Sequence, residues 1–256
     1  MLHIPTELFH VAKPSGPSST AVVQFIRKVL THQLDRTETE KLGRRRKLRV
    51  GHGGTLDPLA AGVLVVGVGR PATRKLSELL TNVDKVYRAE VRLGAATPTL
   101  DVTADREQWT FAAHDHIRSA ADVEAVLPDF RGKIMQTPPK FSALRTADGK
   151  RAYKVARKDP AAVVALEPRP VHIHRLECTA FDAARGTLEL EVTCGSGTYV
   201  RALVDDIGRA MGTLAVLQGL TRTRQGPFRL DDAVPLSLFD DGVHHLPRGS
   251  VWQREH

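Results

Sequence analysis

The chain has 256 residues, of which 41% are hydrophobic and 26% charged, the range of an ordinary globular protein of one or two domains. No run approaches the roughly 18 apolar residues that span a membrane, the first residues lack the pattern of a secretory leader, and two cysteines in no metal or redox spacing fit a reducing, intracellular setting. The 37 basic and 29 acidic side chains leave a net charge of +8, which favours a polyanionic partner, nucleic acid above all.

In chain order, KPSGPSST precedes the apolar periodicity of TAVVQFIRKVL, which predicts a helix capped by Ser18 or Ser19. Residues 31–49 are polar and predict a loop insertion ending in KLGRRRKLR, with six basic residues in nine. GVLVVGVG (62–69) predicts a short buried strand, and PATRKLSELL (71–80) a helix with Pro71 in its first turn. In VYRAEVRLG (86–94), Tyr87, Ala89, Val91 and Leu93 share one face of a half-buried strand. A helix is expected near 117–130, then the strand GKIMQ. Residues 137–160 form a basic excursion, with seven basic residues and one acid between 140 and 158. VHIHRLECTAF and TLELEVTC predict strands joined by the turn DAARG, and TYVRALVDDIGRAMG predicts an amphipathic helix. TRTRQGPFR (221–229) adds three arginines. Strands and helices mix without strict alternation, so the expected fold class is α+β: a mixed, largely antiparallel sheet flanked by helices. One domain is expected over 1–231, with 232–256 a tail too short for a separate RNA-binding domain.

Residues 51–64, GHGGTLDPLAAGVL, place one acid among four glycines. Glycine permits positive φ and close approach of a ligand to the backbone. Pro58 biases Asp57 towards an extended conformation and so fixes its direction. A rigidly aimed acid on a bare backbone suits a nucleophile or general base facing a bulky substrate. It also suits a turn aspartate bonded to its own backbone, since Asp-Pro and Gly-Gly are routine turn pairs. Spacing alone leaves both open.

The segment GHGGTLDPLAAGVLVVGVGRPATRKL closely resembles the catalytic segment of the TruB family of pseudouridine synthases. KPSGPSS, KVYRAEVRLGAATPTLD, QTPPKFSALRTADGKRAYKVARK, CGSGTYVRALVDDIG and LTRTRQGPF resemble other motifs of that family, in family order over roughly residues 11–230. The resemblance implies tRNA pseudouridine synthesis with Asp57 as catalytic nucleophile, Tyr87 stacked on a flipped base and Arg201 paired with Asp57. It implies substrate contacts from His52, Gly53, Gly54, Leu220 and Asp101, and from Lys13 and Pro14 of the first motif. Lys140, Arg145, Lys150, Arg151 and Lys154 would grip RNA from a thumb segment over 137–160. The implied partner is the T-arm of tRNA, with uridine 55 as target and other structured RNA possible. No cofactor or metal is implied, because the reaction is an isomerisation, and a monomer is expected. His-Gly-Gly and LTRTRQGPF lean towards the eukaryotic branch. Lys158-Asp159 stands where the thumb usually ends in glycine, and Pro98 and Leu100 stand where relatives often carry polar residues.

The sequence also admits three other readings. A non-catalytic tRNA-binding or folding protein could use the same scaffold. GVGRPA (67–72) fits a dinucleotide fingerprint, with Glu90 about 20 residues on, as in an NAD-dependent oxidoreductase. His172 and His174 sit two apart on one strand face, but with no third ligand in view.

Overall fold

The computed structural model describes residues 8–33, 48–146, 148–159 and 164–239. The expected insertion at 31–49 lies mostly outside the described residues. The chain divides into two compact units, Met1–Lys85 with Thr221–His256, and Val86–Leu220.

The first unit contains β1 (Leu8–Lys13), α1 (Ser19–His32), β2 (Val50–Gly53), β3 (Ala61–Val68) and α2 (Gly69–Leu80). β1 lies antiparallel along one edge of β3, with Val11 opposite Leu64 and Lys13 opposite Gly62. The other edge takes antiparallel β2, with His52 opposite Val66, and the parallel pair Thr221–Ala61 and Arg222–Gly62. β3 is an unbroken apolar run because both of its faces are covered. Leu64 and Val66 pack with Val22, Phe25, Ile26 and Val29 of α1. Val63 and Val65 pack with Leu76 and Leu80 of α2. The glycines of β2 bring α2 close: a Cβ on Gly53 would stand 2.2 Å from Leu80 Cδ1. GVGRPA forms the end of β3 and the start of α2, between neighbours β1 and β2 that run antiparallel to it.

The second unit begins with β4 (Lys85–Leu93), then the small antiparallel pair β5 (Ala95–Ala96) and β6 (Thr110–Phe111). The helix expected near 117–130 is only α3 (Ala120–Glu124), followed by a 3-10 turn over Leu127–Phe130. Pro128 lacks the N–H that an α-helix would need there. β7 (Gly132–Gln136), α4 (Ala152–Lys158), β8 (Arg169–Asp182), β9 (Thr187–Cys194) and α5 (Val200–Ala210) follow. β7, β8 and β9 pair antiparallel. β9 alternates as a half-buried strand should, with Leu188, Leu190, Val192 and Cys194 inside. β10 (Ala215–Gln225) passes from the second unit into the first, and β11 (Phe228–Arg229) and β12 (Val234–Pro235) follow it. The strands are mixed and largely antiparallel, flanked by helices, as expected of an α+β fold.

Candidate active site

In the first unit, Asp57 sits half-buried in the loop between β2 and β3. Its carbonyl accepts from Ala60 N at 3.1 Å, closing a turn. The rest of the loop is fixed from outside, by residues 13–19. Ser19 is buried, and its Oγ accepts from Leu56 N and donates to Leu56 O, both at 2.8 Å. Ser15 Oγ donates to Leu59 O at 2.7 Å, and Gly16 N to Pro58 O at 2.8 Å. Lys13 Nζ donates to Pro14 O, Pro58 O and Ala60 O. The backbone on both sides of Asp57 is therefore bonded to one segment, which α1 anchors through Ser18, the cap of its first turn. This accounts for one acid in so permissive a stretch: glycines admit the shape, and KPSGPSS holds it.

Lys13 is 1% exposed, and its ammonium is committed to loop carbonyls. Burial pulls its pKa down to about 7, with Asp57 opposing the shift and Arg222 adding to it. Its ordinary value is 10.5, so between pH 7 and 10.5 the unfolded chain holds the proton more firmly, and stability rises with pH in that window. The melting temperature of wild type minus that of Lys13→Met should therefore climb as pH is raised from 7 towards 10.5. A flat difference would show that Lys13 titrates alike in both states.

His52 lies on β2, where burial and then Arg222 lower its pKa, so the imidazole is neutral at neutral pH. Gly53 serves the approach of α2 described above, and Gly54 adopts φ +71, the left-handed region open to glycine. Arg222 is 1% exposed, which the arginine-rich look of its strand concealed. Its Nε and NH2 donate to Val63 O at 2.9 and 2.7 Å, and NH2 reaches Gly54 O at 2.6 Å. The guanidinium ties the start of β3 to the start of the Asp57 loop.

In the second unit, Tyr87 and Leu220 are 7% and 9% exposed, on β4 and β10. Arg201, in the first turn of α5, is 4% exposed. Its NH1 donates to Thr99 O at 2.7 Å and its NH2 to Phe141 O at 3.0 Å, while Nε stands 3.9 Å from Asp101 Oδ2. Asp101 is itself 5% exposed, and its Oδ1 accepts from Thr99 Oγ1 at 2.9 Å, Thr103 N at 3.0 Å and Thr103 Oγ1 at 2.5 Å. Asp101 and Arg201 thus meet in one buried network within the second unit. Ser15, Ser19 and Arg222, which fix the Asp57 loop, carry no local signal that sets them apart as such.

Arg145, Lys150, Arg151 and Lys154 line one groove of about 630 Å³ with Lys158 and Asp159. Lys140 lies over the ring of Phe141, 5.6 Å from its centroid. The rings of His172 and His174 are 4.2 Å apart, and no group of three metal-ligating side chains occurs among the described residues.

Residues 40–200 match the model for the N-terminal domain of TruB family pseudouridylate synthases. A tRNA pseudouridine synthase B of Pseudomonas fluorescens is 41% identical over 232 residues, 91% of this chain and 67% of the relative. One from Mycolicibacterium paratuberculosis is 42% identical over 246 residues, 95% of this chain and 75% of the relative. Pseudouridylate synthase TRUB1 of Mus musculus is 40% identical over 224 residues, 87% of this chain and 64% of the relative. Among solved structures, a chain of a Cbf5-Nop10-Gar1 complex is 28% identical with a TM-score of 0.61, over 92% of this chain and 54% of that one. The chain spans about half the length of that structural neighbour. No helix among the described residues is long and apolar enough to cross a membrane.

Proposed function

The chain belongs to the TruB family of pseudouridylate synthases, and we propose that it isomerises a uridine of tRNA, at position 55 in the T-loop, to pseudouridine. The observation that carries this reading is the fixation of the Asp57 loop by residues 13–19. Five donor contacts from residues 13–19 fall on backbone oxygens at residues 56, 58, 59 and 60, so the loop is held on either side of Asp57 through its main chain.

The reaction balances within the substrate. The bond from C1′ to N1 breaks, a bond from C1′ to C5 forms, C5 gives up its proton and N1 gains one. Asp57 assists the detachment of uracil from ribose, and the base turns and rejoins through C5. A nucleophile cannot reach the glycosidic carbon inside a stack, so the uridine is extruded at a cost of a few kcal/mol that pocket contacts offset. Tyr87 and Leu220 supply apolar surface for the extruded base. His52, neutral and thus easily desolvated, fills the gap it leaves. The single domain over 1–231, with its thumb at 137–160, acts as a monomer.

The test is tritium release from a T-arm hairpin labelled at C5 of the target uridine. Release by wild type, and none from a hairpin with cytidine at the target, supports the proposal. Tight binding without release would favour the non-catalytic RNA-binding reading.

The thumb groove supplies phosphate contacts, and its effect is salt-dependent. Replacing Lys150 and Lys154 by Ala should weaken hairpin binding and make the plot of log K against log salt shallower by roughly one to two units. An unchanged slope would exclude the groove from phosphate contact.

A further inference from the structure

Gln225, the last residue of β10, is 0% exposed, and neither Oε1 nor Nε2 has a hydrogen-bond partner among the described residues. A fully buried carboxamide with both of its groups unpaired is costly, and native proteins retain few. Its position is specific. A Cβ on Gly54 would stand 2.2 Å from Nε2 and 2.7 Å from Oε1, so the amide is packed directly on the Gly54 backbone. Two residues earlier, His52 Nδ1 is also buried without a partner among the described residues. The contrast along the loop is sharp. Residues 56–60 are bonded by residues 13–19, whereas His52–Gly54 adjoins polar side-chain atoms whose bonds are unmade. Gly54 O is held by Arg222, three residues before Gln225 on the same strand. With φ +71, Gly54 also has backbone freedom that residues with a Cβ lack.

We propose that Gln225 is a positioning residue: its carboxamide takes up a peptide group of residues 53–55 when RNA is bound, and so sets the direction in which Asp57 is presented. In the RNA-free protein those bonds are unmade. Entry of the uridine beside His52 shifts the Gly53–Gly54 peptide units onto the waiting amide. Leu56 before the acid and Pro58–Ala60 after it stay where residues 13–19 hold them, so the movement turns the acid in place rather than displacing it. This inference rests on the reading of the site as a pseudouridine synthase.

The test compares wild type with Gln225→Met, which keeps the length of the side chain and removes both polar groups. Three quantities are measured on the T-arm hairpin: melting temperature, hairpin Kd, and the single-turnover rate of tritium release. The expected variant melts no lower than wild type, because a polar group without a partner has been removed. It binds the hairpin within about twofold and turns over at least about tenfold more slowly, a loss confined to the step after binding. A rate within twofold of wild type would overturn the proposal, as would a slow rate accompanied by a fall in melting temperature. Hydrogen exchange of wild type gives an arm free of any variant: the amides of residues 53–55 should exchange more slowly with hairpin bound, and unchanged exchange there would also overturn it. Failure of wild type to release tritium would instead fault the functional reading, which the same assay reports separately.

Discussion

Asp57→Asn should leave a folded, RNA-binding protein that has lost pseudouridine formation by about 10⁴-fold or more, the scale on which removal of a reacting carboxylate is felt. The substitution is nearly isosteric, and the contacts that residues 13–19 make with the loop fall on backbone groups of Leu56, Pro58, Leu59 and Ala60. Those bonds do not need the carboxylate. Hairpin affinity and melting temperature should therefore stay close to wild type, and the loss should appear in single-turnover tritium release. One electrostatic trace is expected. Asp57 is the charge that opposes the drop in the Lys13 pKa, so in the variant that ammonium gives up its proton at a lower pH still. Tritium release at an appreciable rate from the variant would show that another group does the chemistry. Loss of release together with collapse of the fold would show that the acid is a structural turn residue.

The difference between what was readable and what was not follows from the range of the contacts. β3 was legible because two packed faces require an unbroken apolar run, and β9 because one face requires alternation. The Asp57 loop was legible because glycine and proline act locally. Its support was not, since Ser19 meets Leu56 across 37 positions and Lys13 meets Ala60 across 47. Such pairs leave no periodic trace. Arg222 resembled its neighbours in a basic stretch, yet it is buried on carbonyls of Val63 and Gly54. Nothing local distinguishes a guanidinium that bonds backbone from one that awaits phosphate. The family resemblance places Lys13 and Asp101 at the substrate, and burial among protein partners is a feature of both that the motifs do not display. β10 contributes residues to both compact units, so no linker in the sequence marks a boundary between them. The helix expected near 117–130 is cut short to Ala120–Glu124, with Pro128 in the 3-10 turn that follows.

Asp101 separates a charge effect from a geometric one. Thr97 Oγ1 and Thr99 Oγ1 both donate to Asp101 O, and Asp101 Oδ1 gathers Thr99 Oγ1, Thr103 N and Thr103 Oγ1. These bonds hold Leu100 at φ +62, a left-handed conformation that costs a residue with a Cβ about 1–2 kcal/mol. The same turn presents Thr99 O to Arg201 NH1, while Oδ2 faces Nε across 3.9 Å. Asp101→Ala removes turn and charge together. It should lower the melting temperature by several degrees and slow single-turnover tritium release by about 10²-fold, because the guanidinium loses its direction as well as its counter-charge. Asp101→Asn keeps an oxygen for the threonine donors and deletes only the charge. If the network serves chiefly to aim Arg201, the Asn variant should melt near wild type and keep most of the rate. If the negative charge itself matters, the Asn variant should be as slow as Ala while still melting near wild type. Hairpin Kd should change little in either variant, since Asp101 is 5% exposed and its carboxylate is taken up by protein donors. A Kd that rises in step with the loss of rate would mean instead that this acid, despite its burial, contacts the RNA.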